Sequence, residues 1–202
     1  MAYSILKRLF DLFLSIFSVC ILSPVFLILI IIVKLDDPKG KVFFAHKRVG
    51  KNGKEIKIYK FRSMVHNAEE LIEKFTDEQK KEYYTYFKLE NDPRITKVGK
   101  FLRKTSLDEL PQLINIIKGD LSIVGPRPVI EKEIELYGDK KDLFLSVQPG
   151  LTGYWAVNGR STTDYNERMQ LELYYVEHRC ISLDLQIIFK TFGAVLKGEG
   201  AT

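Results

Sequence analysis

From Leu12 to Val33 the chain reads LFLSIFSVCILSPVFLILIIIV without a charge, about the length that reaches across the hydrocarbon core of a bilayer. Such a run must meet lipid. It is long, its C-terminal flank is Lys34-Leu35-Asp36-Asp37, and no small-x-small cleavage site follows, so a removed signal peptide fits poorly. A straight spanning helix is the plain reading, and two features favour a re-entrant hairpin over it. Ser23-Pro24 falls midway, where proline removes a backbone donor, clashes with the preceding turn and bends a helix. Lys7 and Arg8 precede the run and Lys34, Lys39 and Lys41 follow it, so both flanks carry the cations that prefer the cytoplasmic side. Asp11 lies one turn after Lys7 and Arg8 and is expected to pair with them at the interface.

Beyond a turn at Asp37-Pro38-Lys39-Gly40, VFFAHKRVG and EIKIYKF flank Lys51-Asn52-Gly53-Lys54, the pattern of a β-hairpin around an Asn-Gly turn. From about Val65 to Leu89, Glu, Lys and Tyr dominate with few turn formers, which predicts a charged surface helix. Then come a loop at Asn91-Asp92-Pro93-Arg94, a helix from about Val98, a turn near Thr105, a second helix to Lys118 and a loop from Gly119 to Pro128. Asp164 to His178 and Leu183 to Leu196 also read as helices, the second apolar enough to dock on the core or lie on a membrane surface.

With 202 residues, 46% of them hydrophobic, the chain can bury one sizeable core and not two. The division expected is a membrane element over 1–36 and a catalytic domain over 37–202. A net charge of +5 favours an anionic partner, whether nucleic acid, phospholipid head groups or a phosphorylated substrate. Cys20 and Cys180 suggest neither a disulfide framework nor a CxxC knuckle. His46, His66 and His178 are scattered without zinc-binding spacing.

Chemistry concentrates around Ser106-Leu107-Asp108-Glu109-Leu110-Pro111-Gln112. Ser106 and Glu109 have capping-box spacing and Pro111 suits a first helical turn. These clues differ by about a turn, and Asp108 or Leu107 is the preferred cap. Both acids then complement the helix dipole, or they do chemistry: a helix N-terminus keeps a carboxylate ionised and attracts phosphate, which suits an aspartate that attacks phosphorus. Arg94, Arg103, Lys104 and Arg127 are the nearby cations. Arg127 lies between Pro126 and Pro128, which stiffen the loop that aims its guanidinium. Period-two alternation puts Lys60 and Arg62 on the face of Ile56 and Ile58, as phosphate ligands or as a strand end emerging into solvent.

Lys7-Arg8 with Asp11, the Ser23-Pro24 break, KFRSM at 60–64, DPRIT at 92–96, SLDELPQ at 106–112 and KGDLSIVGPRP at 118–128 together resemble the bacterial sugar transferase family, the monotopic phosphoglycosyl transferases, almost end to end. The resemblance implies that Asp108 is the nucleophile and Glu109 its dyad partner. It also implies that Lys60 and Arg103 help form a phosphate site, that Mg²⁺ is the cofactor with Asp108 a candidate ligand, and that the N-terminal helix is re-entrant at Ser23-Pro24. The chain lacks the multi-span N-terminal region of larger members and resembles a minimal catalytic unit. Its tail, with Trp155 and Arg160 in Gly-rich surroundings, resembles the hexose 1-phosphate branch, and both side chains are candidates to contact a UDP-sugar.

The expectation is therefore an α-rich α+β fold: a membrane hairpin, a small β-hairpin and amphipathic helices against the cytoplasmic leaflet of a bacterial inner membrane. The partners implied are a UDP-sugar, undecaprenyl or another polyprenyl phosphate, and phospholipid, with no nucleic acid. The expected reaction is ping-pong transfer of a sugar 1-phosphate with release of UMP, the first membrane step of capsule, O-antigen or exopolysaccharide assembly. A nucleotide-sugar phosphohydrolase and a non-enzymatic basic membrane-surface protein are the rivals. The sugar, the polyprenol and the oligomeric state, a homodimer included, stay open.

Overall fold

The computed structural model describes residues 2–86, 89, 91–159 and 163–197. The apolar run and its flanks form one helix, α1 (Ala2–Asp36), of 35 residues, which at 1.5 Å per residue extends about 50 Å. Pro24 lies inside it and cannot donate to the carbonyl of Cys20; the Ser23 hydroxyl donates to that carbonyl instead, at 2.8 Å. By length and composition α1 is able to cross a membrane.

The expected hairpin is present. Strands β1 (Phe43–Val49) and β2 (Glu55–Phe61) pair antiparallel, Phe43 opposite Phe61 and Val49 opposite Glu55. In the turn Asn52 and Gly53 take φ of 57° and 77°, a left-handed region that these two residue types tolerate best. The single charged helix expected over 65–89 is instead two, α2 (Glu70–Glu73) and α3 (Asp77–Tyr86). Thr76 breaks it: its hydroxyl accepts from the Gln79 N–H at 3.2 Å while the Gln79 side chain accepts from the Thr76 N–H at 3.0 Å, a reciprocal cap that starts a new helix. Phe75, just before the cap, turns inward and is buried.

Next come α4 (Lys97–Thr105) and α5 (Gln112–Lys118). A second sheet, not expected from the sequence, pairs β3 (Ser122–Val124) parallel with β4 (Gly150–Thr152). Between them lie α6 (Glu131–Ile134), a 3-10 stretch at Glu135–Lys140 and α7 (Lys141–Leu145). The chain closes with α8 (Tyr154–Asn158), α9 (Tyr165–His178) and α10 (Ile181–Lys197). Asp164 and Glu167 form the box that starts α9. The architecture is thus mostly helical with small strands.

The main core gathers Ile56 and Ile58 of β2, Leu113 and Ile116 of α5, Tyr175 and Val176 of α9, and Ile187 and Ile188 of α10. A second cluster joins Leu29 and Val33 of α1 to Phe61 and Leu102. The first turns of α1 are docked by polar contacts, though not the expected ones. Lys7 pairs with the buried Asp184 at 2.9 Å. Arg8 donates to the carbonyls of Ile116 and Ile117 at 2.6 and 2.9 Å, capping the C-terminus of α5. Asp11 pairs with neither: it is buried and accepts from the Ile123 N–H at 3.1 Å. Its carboxylate faces the protein because an unpaired main-chain donor of β3 needs a partner there.

Candidate active site

Asp108 and Glu109 sit in a 3-10 turn, Leu107–Glu109, between α4 and α5. Ser106 ends α4 in the left-handed region, φ 56°, which throws the chain sharply into that turn. Neither Leu107 nor Asp108 caps α5: Pro111 directly precedes it, and Ser106 meets Glu109 through its carbonyl, which accepts from the Glu109 N–H at 3.2 Å. The proline clue was the better guide, because its fixed φ pre-forms the turn into a helix.

Asp108 is therefore not held ionised by a helix terminus. It is buried, 8% exposed, and burial pushes its carboxyl above the ordinary range; Lys60 opposes that, Glu109 adds to it and Arg103 opposes it. Lys60 reaches from the end of β2, 2.7 Å from Glu109 and 3.9 Å from Asp108. Asn115, unnoticed in the sequence, links the two elements. Fully buried in α5, it accepts from the Tyr59 N–H at 2.9 Å and donates to the Lys57 carbonyl at 2.7 Å, tying the strand that carries Lys60 to the helix that follows the dyad.

Arg103 approaches from α4, its Nε donating to the Ser63 hydroxyl at 2.9 Å. The KFRSM and DPRIT segments are one patch: Met64 bridges Ile95, and the Ser63 carbonyl accepts from the Thr96 N–H at 3.2 Å. α4 presses so close that a β-carbon on Gly99 would collide with the Ser63 carbonyl, which accounts for glycine in the first turn of this helix.

Two other cations expected at a phosphate site, Arg62 and Arg94, are occupied elsewhere. Arg62 donates to the Asp37 carboxylate at 2.9 Å and to the Asp37 and Val33 carbonyls at 2.8 and 3.1 Å, closing the end of α1. Arg94, 6% exposed, donates side-on to Asp92, Nε at 2.9 Å and Nη2 at 2.7 Å, between the rings of Phe75 and Tyr83 at 5.2 and 4.8 Å. Arg127 keeps an exposed side chain, close enough to Glu109 to interact electrostatically. Its loop is rigid: the Gly125 N–H donates to Thr152 at 2.9 Å, the Gly150 N–H to Pro126 at 2.8 Å, and the Arg127 N–H to both oxygens of Glu172 at 3.1 Å. Glu172, missed in the sequence, is 1% exposed; burial pushes its carboxyl up to about 7, although the Arg127 N–H, Arg168 and Arg127 oppose the shift. Arg160 lies outside the described residues. Ser23 and Pro24 lie within α1.

The model of the family described as bacterial sugar transferase matches residues 2–198. The chain belongs to that family. An uncharacterized sugar transferase of Haemophilus influenzae is 46% identical over 200 residues, 98% of this chain and 42% of that protein. The undecaprenyl-phosphate galactose phosphotransferase of Salmonella typhimurium is 46% identical over 199 residues, 97% of this chain and 41% of that protein. The exopolysaccharide production protein ExoY of Sinorhizobium fredii is 44% identical over 198 residues, 96% of this chain and 87% of that protein. This bacterial sugar transferase thus spans about two fifths of the first two relatives and most of the third.

In this site, a buried carboxylate with incomplete charge compensation faces a lysine held by its neighbour, with Arg103 and Arg127 close by. Once ionised, such a carboxylate is a strong nucleophile. No group of three or more His, Cys, Asp or Glu side chains that suits a metal gathers among the described residues. Of the two carboxylates, Asp108 would be the one to hold a metal ion, because Glu109 is bonded to Lys60 at 2.7 Å.

Proposed function

We propose that the chain transfers a hexose 1-phosphate from a UDP-sugar to undecaprenyl phosphate, releasing UMP, with Asp108 as a covalent carrier. The observation that carries this reading is the buried Asp108 beside the Lys60–Glu109 pair, with Arg103 close enough to act on its charge. The names of relatives support the substrates: one is an undecaprenyl-phosphate galactose phosphotransferase, and others are a UDP-galactose-lipid carrier transferase of Erwinia amylovora and an N-acetylgalactosaminephosphotransferase of Aeromonas hydrophila whose name includes UDP-N-acetylgalactosamine and undecaprenyl phosphate.

An Asp108 oxygen attacks the β-phosphorus, the bond from that phosphorus to the bridging oxygen breaks, and UMP leaves with the oxygen. A phosphate oxygen of the lipid then attacks the same phosphorus and the Asp108 carboxylate is freed. Lys60, fixed by Glu109, and Arg103 neutralise the phosphoryl oxygens in both steps. Asp108 would hold a magnesium ion, which when bound would supply charge neutralisation for the departing nucleotide.

The reading places α1 in the cytoplasmic leaflet of the inner membrane as a re-entrant element, with the domain on the cytoplasmic face. Two observations support this. Ile5, Leu9, Phe13, Ile16, Phe17, Leu27, Ile28 and Ile31 leave α1 with an exposed apolar face, which lipid would cover. Both ends of α1 dock on the same body, Lys7 and Arg8 at one end and Leu29 and Val33 at the other, which suits a helix whose two ends stay on one side of a bilayer. Phe43, Phe44 and Phe101, exposed beside the second cluster, suit the membrane surface.

The test is transfer of label from radioactive UDP-sugars into an organic-extractable lipid. Label in lipid that depends on undecaprenyl phosphate and is lost in Asp108→Asn supports the reading. Steady UMP release without lipid acceptor would make the protein a phosphohydrolase. Salt-sensitive lipid binding that ignores Asp108→Asn, with no turnover, would make it a surface-binding protein.

A further inference from the structure

Arg127, near enough to Glu109 to interact with it, also stands at the Trp155 ring, where Arg168 packs as well. Arg168 of α9 lies with its guanidinium carbon 5.0 Å from the Trp155 ring centre and 5.1 Å from that of Tyr165. It is 7% exposed. Its Nη1 reaches Glu133 at 3.4 Å, whereas Nε and Nη2 are buried and have no hydrogen-bond partner among the described residues. Those two donors form the side-on edge of the guanidinium, two parallel N–H groups that match two oxygens of one anion. Arg94 uses this same edge on Asp92, so the molecule itself shows what the edge takes when it is satisfied.

Two further guanidinium groups lie nearby. Arg127 stands 5.8 Å from the same Trp155 ring, and Arg48 reaches Glu133 at 3.5 Å. Burial, and then the nearness of Arg127, pushes the Arg48 guanidinium down. These guanidinium groups stand among Glu133, Glu172 and, toward Arg127, Glu109, and burial pushes the Glu172 carboxyl up to about 7. An orphaned buried donor pair is costly unless an anion completes it.

We propose that Arg168, flanked by Arg48 and Arg127, forms an anion subsite next to the Asp108 site, which takes the phosphate of the nucleotide and so holds the departing UMP. The proposal rests on the transfer reading above. It divides the diphosphate between two sets of cations, Lys60 and Arg103 on the phosphorus that is attacked and Arg168 with Arg48 on the one that leaves. The Trp155 indole N–H is held by the Thr163 hydroxyl at 2.8 Å, so the ring is fixed beside both arginines.

Trp155 is the only tryptophan in the chain, and its fluorescence reports occupancy without turnover. Titration of the purified protein with UMP is expected to change that fluorescence saturably, and uridine, lacking the phosphate, to bind far more weakly. Arg168→Lys keeps the charge and loses the side-on edge; it is expected to weaken UMP by about tenfold or more while leaving uridine unchanged. Arg48→Gln is expected to weaken UMP in the same direction. UMP affinity equal to wild type in both variants overturns the subsite and leaves transfer intact. Equal loss for UMP and uridine, with a lowered melting temperature, makes Arg168 a packing residue and also overturns it. Weakened binding of a short-chain polyprenyl phosphate, with UMP unaffected, assigns the cations to the acceptor and overturns the nucleotide assignment. A wild-type protein that neither responds to UMP nor transfers sugar phosphate refutes the functional reading itself.

Discussion

Glu172→Gln isolates a single buried carboxyl and converts the structure into a pH-dependent number. Glu172 is 1% exposed and its carboxyl is pushed from 4.5 up to about 7, first by burial. The folded state therefore holds this proton more tightly than the unfolded chain. Below pH 4.5 both states are protonated and the stabilisation is fully present. It is lost as pH rises, because the unfolded chain ionises first, and the loss is complete above about 7. At about 1.4 kcal/mol per unit, the group removes about 3 kcal/mol of stability between these limits, roughly 10 °C in melting temperature for a chain of this size. Glutamine mimics the protonated form and still offers an oxygen to the Arg127 N–H. Melting of both proteins in the same detergent is expected to give nearly equal values at pH 5 and a higher value for the variant at pH 8. A variant less stable than wild type by the same amount at both pH values would refute the argument, since the carboxylate would then be contributing as an anion.

Lys60→Met, which removes the cation 2.7 Å from Glu109 and 3.9 Å from Asp108, is expected to lower transfer roughly ten- to a hundredfold with folding intact, as measured by label incorporation and circular dichroism. Arg62→Ala breaks a pair whose side chains are 10% and 11% exposed; it is expected to cost about 3 kcal/mol of stability, read by thermal melting, with activity per folded molecule retained. Cysteine labels at Tyr3 and Lys39 are both expected to react from the cytoplasmic side; periplasmic labelling of the first alone would exclude the re-entrant arrangement.

The strongly periodic and strongly punctuated parts of the fold were legible in the sequence. The Asn52-Gly53 turn demands positive φ, and the helix starting at Asp164 is announced by Glu167 three residues on. The break at Thr76 was legible too, as Thr-x-x-Gln, but the dense charges around it read as continuous helix. The three-residue strands β3 and β4 were not, because strands so short show no alternation and their pairing depends on the close approach of Gly125 and Gly150.

In the site, the sequence brought out Lys60, Arg103, Asp108 and Glu109, and the fold does bring these together. It gave no means to tell a cation facing substrate from one locked by a neighbour: Arg94 is consumed by Asp92, two residues away, and Arg62 by Asp37, which only the folded end of α1 brings near. Asn115, Glu172 and Arg168 went unnoticed because their roles arise from burial, and a polar residue within a helical pattern reads as solvent-facing.

The central claim is that Asp108 carries the phosphosugar. Wild-type protein incubated with UDP-sugar and magnesium, with no lipid acceptor, is expected to release UMP in a single burst of at most one equivalent and to gain the mass of one hexose phosphate on the peptide that holds Asp108. Asp108→Asn should fold and show neither. Release of UMP only when polyprenyl phosphate is present, with no adduct on that peptide, would contradict the account and make transfer direct.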